Sequence, residues 1–216
     1  LVITHGYLLT GTGSNLYVNN LVRELCKVGY EVNLLCQDYD PMTIDFVNEY
    51  YEFSADNSEY VKKGEKESPF LGKVRVFKPN LNGFLPVYVY DHYDGFEVKE
   101  FPDCTDAEVD RYITQNKNAL ELVVVDFNVK VVNTNHLVMF PHIATLVKES
   151  TGVDHLITVH GSALNFTVKK DKRFEEFAKS SLLKADEIVV DSLHADEELK
   201  EFLEEVGLSQ LKQKVE

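Results

Sequence analysis

Apolar side chains follow two alternating rhythms along this chain. Leu1-Val2-Ile3-Thr4-His5 is a short apolar run of the kind a buried strand makes, and a glycine-punctuated loop, Gly6 to Ser14, follows it. Over residues 14–28 the spacing becomes helical, with Val18, Leu21, Val22, Leu25 and Val28 on one face, Ser14 or Asn15 as N-cap and Gly29 as the stop. Glu31 to Cys36 is again an apolar strand, with Asp38 just beyond its end. Residues 39–72 are polar, rich in Tyr, Glu and Lys, and read as an irregular excursion. Lys73 to Lys78 alternates as a strand, with Val74 and Val76 on one face and Lys73, Arg75 and Phe77 on the other. Leu85 to Tyr90 is a further strand.

From Thr105 onward the pattern is regular. Thr105 and Glu108 form a capping box for a helix over 106–125. There follow a strand (130–133), a helix (137–150), a strand (155–159), a helix (171–184), a strand (187–191) and a helix (193–205). Strands that alternate with helices imply a mainly parallel sheet with right-handed crossovers, so the fold class is α/β. Ligands on such sheets meet the carboxyl ends of the strands. That rule selects His5-Gly6, Asp38, Asn135-His136, His160-Gly161-Ser162 and Asp191-Ser192.

Charge narrows the partners. A net charge of −14 gives no general attraction to nucleic acid or to an anionic membrane, and the basic cluster Lys169-Lys170-Asp171-Lys172-Arg173 reads as a solvated helix start. Cys26, Cys36 and Cys104 are an odd count without C-x-x-C spacing, which fits a reduced, cytoplasmic setting. No stretch is apolar for long enough to span a bilayer, and no signal peptide precedes the first strand. The missing initiator Met and the strand-like end Lys214-Val215-Glu216 lead us to expect a domain of a longer protein.

Several segments can carry chemistry. The spacing of Gly6 and Gly11 is that of a P-loop, but Thr12 replaces its lysine; Gly11-x-Gly13 is followed by Leu16 where a dinucleotide fingerprint needs Gly or Ala. A longer loop whose backbone touches a sugar or diphosphate, and a plain strand-to-helix turn, both stay open. Thr158-Val159-His160-Gly161-Ser162 puts an imidazole at a strand's carboxyl end, either to bond a substrate hydroxyl or to cap the sheet. Asn133-Thr134-Asn135-His136 brings polar groups to the same rim, although His136 also suits a helix start. Gly83 to Phe96 concentrates aromatics and carboxylates, with Tyr90, Asp91, His92 and Tyr93 at its centre. That composition suits carbohydrate, and also an edge hairpin packing its tyrosines. His142 and His155 have weaker claims. No His/Cys spacing fits zinc, no segment fits a calcium loop, and there is no G-x-S-x-G elbow.

Taken together, the segments His5-Gly6 to Ser14, Leu21 to Val32, Leu156 to Ser162 and Ala185 to Ser192 resemble the opening of family 4 retaining glycosyltransferases of GT-B fold. The likeness covers 1–38 and 130–206, with Tyr30 in place of the family's His. It implies one Rossmann-like three-layer α/β/α sandwich over 1–216, the acceptor-side half of a GT-B enzyme, with the excursion at 39–104 on the acceptor side. The donor-binding C-terminal domain is absent from the chain. By the same resemblance, the activity is sugar transfer from a nucleotide-sugar donor to an acceptor hydroxyl, with no cofactor and no metal. His160 is then the catalytic contact; Gly11, Thr12, Gly13, Asn135, His136, Gly161 and Ser162 bind donor or substrate, and Tyr90, Asp91, His92 and Tyr93 line the acceptor side. The isolated domain is expected to be inactive. Two other classes compete: an NAD-type oxidoreductase or epimerase with Asp38 on a ribose, and a non-catalytic carbohydrate-binding domain.

Overall fold

The computed structural model describes residues 1–215. Its regular elements are β1 (Val2–Thr4), α1 (Gly13–Lys27), β2 (Glu31–Leu35), β3 (Val47–Phe53), β4 (Tyr60–Glu65), β5 (Lys73–Lys78), β6 (Phe84–Val87) and β7 (Glu97–Glu100). After these come α2 (Asp106–Asp126), β8 (Val131–Asn135), α3 (Phe140–Thr151), β9 (Asp154–Val159), α4 (Gly161–Phe166), α5 (Lys172–Lys184), β10 (Glu187–Val190) and α6 (Leu193–Glu205). Eight strands form one sheet in the order β10-β9-β8-β1-β2-β5-β3-β4, and β6 and β7 pair separately. All neighbours in the large sheet run parallel except β4, which lies antiparallel to β3 at one edge. The fold is a three-layer α/β arrangement on a mostly parallel sheet, as the alternation of strand and helix patterns led us to expect.

Register assigns the faces. Val2, Asn33, Arg75 and Val132 stand side by side, as do Ile3, Leu34, Val76 and Asn133 one step on. Val2, Leu35, Phe77, Val132, Ile157 and Ile188 belong to the core shared with α2, α3 and α5, where Leu120, Val123, Ile143, Ala144, Phe174 and Leu182 are buried. Ile3, Leu34, Val74 and Val76 pack with Val18, Val22 and Cys26 of α1 on the other side.

Local chemistry moves several boundaries. Thr12, not Ser14 or Asn15, caps α1, because its side chain accepts from the Asn15 N–H. Val28 is not on the apolar face: it is the residue past the helix end, its N–H turns back to Glu24 O, and it is 69% exposed. The capping box at Thr105–Glu108 forms as expected. Residues 39–72 are not irregular. They build β3 and β4, held by a buried Glu49 that takes Lys62, Lys73 and Arg75 at 2.8–3.1 Å, so acidic and basic residues pair inside the sheet. The Gly83–Phe96 segment does not make a hairpin, since β6 pairs in parallel with β7. The short helix α4 has no apolar rhythm of its own and was not foreseen.

Glu216 lies outside the described residues, so the strand expected at 214–216 is seen only as a parallel bridge from Val215 to Ile188. Among the described residues no helix is long and apolar enough to cross a membrane. The three cysteines are buried and free, and burial pushes the Cys36 thiol up to about 12.

Candidate functional site

The chain leaves β1 toward β2 on one side and returns to β8 on the other, which opens a crevice at the carboxyl ends of these two strands. A cavity of about 450 Å³ occupies that rim. Tyr7 follows β1, His136 follows β8, His160 follows β9 and Asp191 follows β10. Thr12, Gly13, Ser14 and Asn15 come from the start of α1, and Val87 to Val89 with Tyr93 form the far wall. Gly13 and Ser14 sit in the first turn of α1, where backbone N–H groups have no partner within the helix and the dipole is positive. Nothing stands within 4 Å of where a Gly13 side chain would begin, so this backbone is open to a ligand.

His160 is held by both ring nitrogens. Nδ1 lies 2.6 Å from Asp191 Oδ2, and Nε2 lies 3.0 Å from Asn135 Oδ1. The Asn135 amide is oriented by its other end, since Nδ2 donates to Thr4 O at 3.0 Å. Tyr17 of α1 packs edge-on against the ring at 5.2 Å.

His136 is built differently. It is 2% exposed, its backbone is left-handed at φ 72°, and neither ring nitrogen has a hydrogen-bond partner. The ring stacks on His5 at 5.8 Å and meets Tyr88 at 4.5 Å, His160 at 5.0 Å and Tyr7 at 6.0 Å. Burial, then the neighbouring His160 and His5, holds His136 well below the ordinary imidazole range; burial likewise takes His5 down to about 4. His5 donates one bond, from Nε2 to Asn15 Oδ1 at 2.7 Å. The tyrosine hydroxyls turn away from the cavity: Tyr7 donates to Pro86 O and Tyr88 to Val138 O. No Ser, Thr or Cys is hydrogen-bonded to His5, His136 or His160, so the cavity contains no nucleophile–base pair among the described residues.

The residues singled out from sequence are divided by the fold. Thr12, Gly13, His136, His160, Ser162 and Tyr93 line the cavity; Asn135 stands behind His160. Gly11 does not line it but turns the loop at φ 97°, and Gly161, also outside the lining, faces Glu198 of α6. Tyr90, Asp91 and His92 are exposed and do not line the cavity, because the loop after β6 turns them outward; His92 pairs instead with Asp94. Asp38 binds the Leu9 N–H at 3.0 Å and so clamps the glycine loop, and it does not line the cavity. His155 bonds Thr134 inside the sheet, and His142 stacks on Phe177. Tyr7, Asn15 and Tyr88 were missed. The strand-end rule could have reached Tyr7, two residues beyond His5, whereas Tyr88 arrives only through β6. Among the described residues no cluster of His, Cys, Asp or Glu can hold a metal ion. A second cavity, of about 430 Å³, opens at the amino ends of the strands beside Leu1, Leu21, Leu25 and Val131, away from every candidate residue.

Fold and site define a three-layer α/β protein with a cavity at its strand ends, largely aromatic and aliphatic in lining and set with a few polar groups. No protein-family model matches the chain, and no curated protein matches it. Among solved structures it is similar to a protein provisionally described as a cell surface hydrolase from Lactobacillus plantarum WCFS1. That likeness has a TM-score of 0.40 and 12% identity, over 88% of this chain and 65% of the other. The chain thus spans less than two thirds of that neighbour's length. The expected family 4 glycosyltransferase is corrected by these findings: no family model and no curated protein supports it. Sugar transfer, the retaining transferase class and the dinucleotide-dependent alternative are withdrawn with it. So distant a likeness carries no argument about activity, and hydrolysis is not transferred to this chain.

Proposed function

We propose that this chain binds a small polar molecule, bearing hydroxyl or anionic groups, in the cavity at the carboxyl ends of β1, β8, β9 and β10. The observation that carries this reading is His136. A buried imidazole with neither nitrogen bonded costs about 1–3 kcal/mol per unsatisfied group, and a left-handed backbone at a residue with a side chain adds about 1–2 kcal/mol. Costs of this kind concentrate at functional sites, where a ligand supplies the missing partner. A neutral imidazole has one donor and one acceptor, which is the complement of a hydroxyl group. Gly13 and Ser14 offer backbone N–H groups to an oxygen at the other end of the molecule, and Thr12 and Ser162 add hydroxyls. Gly11 and Gly161 shape the backbone around them.

Titration of ¹⁵N-labelled protein with small polyols, hydroxy acids and their phosphate esters tests this. Saturable shifts at Gly13, Ser14 and the His136 ring are expected with at least one compound, and His136→Leu is expected to weaken that binding about tenfold. Shifts confined to other surfaces, or equal affinity in the variant, would count against the site.

A further inference from the structure

We infer that Asn135 and Asp191 are positioning residues that hold the His160 ring with a proton on each nitrogen, so that the ring in the cavity wall is a fixed cation paired with Asp191 and not a base. The geometry is restrictive. Asp191 Oδ2 is an acceptor at 2.6 Å from Nδ1. Asn135 would usually be free to present either end of its amide, but Nδ2 is committed to Thr4 O, and turning the amide over would set two carbonyl oxygens against each other. Its Oδ1 therefore faces Nε2 as an acceptor. A neutral ring can donate to one of these partners only, and would leave a lone pair against an oxygen at the other. The ring with two N–H groups satisfies both. His160 and Asp191 then form a charge pair at the mouth of the strand ends, with the Asp191 side chain partly open to solvent.

The other titratable groups around the ring are Tyr17 of α1, His136 after β8 and, beyond it, His5 after β1; Glu198 of α6 borders the adjacent Gly161. His5 and His136 are kept neutral by burial, so they add no competing charge. Two consequences follow for the cavity. A ring without a free lone pair cannot take a proton from a serine or from water, and with both N–H groups taken and Asp191 in the same wall, the pair offers a bound molecule neither a free ring donor nor a net charge, which leaves polar recognition to the backbone of Gly13 and Ser14 and to His136. The second consequence rests on the reading of the cavity as a ligand site; the protonation of the ring does not, and can be measured with no ligand present.

The measurement is a long-range ¹H–¹⁵N spectrum of the full chain, labelled in its histidine ring nitrogens, at neutral pH, with His160→Gln used to identify the signals. Both His160 nitrogens are expected to show the N–H signature. Asn135→Leu, which removes the acceptor, is expected to shift Nε2 to the lone-pair range. A wild-type ring with one lone-pair nitrogen overturns the inference, whatever the variants do. Binding elsewhere in the protein would overturn the proposed site and leave this result untouched.

Discussion

Histidines buried without charge make this molecule sensitive to mild acid. His5 and His155 are each held at about 4, by burial first and then by the neighbouring His160 and Lys148 respectively, although the Asn15 bond and Asp186 pull the other way. In the unfolded chain both titrate near the ordinary value of 6.5. Between these limits the unfolded state binds more protons, so their contribution is complete above pH 6.5 and is lost as pH falls toward 4. Each tenfold change in proton affinity is worth about 1.4 kcal/mol, so the two histidines together contribute on the order of a few kcal/mol. The melting temperature should therefore drop across this window, before the carboxylates respond. Glu49, which burial alone would raise, is held at about 2 by Lys62, Lys73 and Tyr51, so its contribution is lost only as pH falls below 4.5. A flat melting temperature between pH 6.5 and 4.5 would contradict this account. His155→Gln, which keeps a partner for Thr134, should remove part of the slope.

At the scale of elements, the joints matter more than the element interiors. The glycine loop is pinned from three sides, by Asp38 on the Leu9 N–H, Asn15 on Thr10 O and Asn19 on Leu9 O. Gly72 lets the chain pass under the end of α1: a side chain there would begin 2.2 Å from Tyr30 O and 2.8 Å from Cys26 O, both backbone atoms. Gly72→Ala is therefore expected to destabilise the protein by about 1–3 kcal/mol, the usual cost of overpacking, and chemical denaturation would measure it. Loss of the α2 cap in Thr105→Ala should cost about 1 kcal/mol. The contrast shows what local sequence can convey. The capping box was legible because both partners lie within one turn. Gly72 was not, because the atoms it must clear belong to the end of α1 and the turn after it, forty-odd residues earlier, and are backbone, with no side-chain signature.

For the molecule as a whole, alternation of strand and helix patterns was enough to give a mainly parallel α/β sheet, and the strand-end rule brought His136, His160 and Asp191 to one rim. The order of strands was out of reach. β5 enters between β2 and β3 through pairings with distant partners, and the charged character of Glu49 and Lys62 disguised β3 and β4, whose ions pair with one another and with Arg75 of β5. The family resemblance was not upheld, for a physical reason. Patterns such as Thr158-Val159-His160-Gly161 and Ala185 to Ser192 largely record a buried strand, a polar residue at its end and a turn into the next helix. Any parallel α/β protein must solve that problem, so such motifs report architecture before they report chemistry. His136 was legible as a rim residue, but its empty hydrogen bonds depend on Tyr7, Tyr88 and His5 closing around it, which only the assembled sheet reveals.

The central seam of that sheet also sets a timetable. Val2 pairs with Val132, across more than half the chain, whereas β3 and β4 pair within a few residues of each other. Loop closure penalises distant pairings, so local units should form first and the seam between β1 and β8 late. In pulsed hydrogen exchange, amides of β3, β4 and α2 are expected to gain protection before those of Val2 to Thr4 and Val132 to Thr134. Simultaneous protection would refute that order. The cavity residues Tyr7, His136, His160 and Asp191 all hang from strands joined at or beyond this seam. During synthesis the proposed site therefore stays incomplete until β10 and Asp191 have been made, and stabilisation by a ligand there would arrive only at the last step of folding.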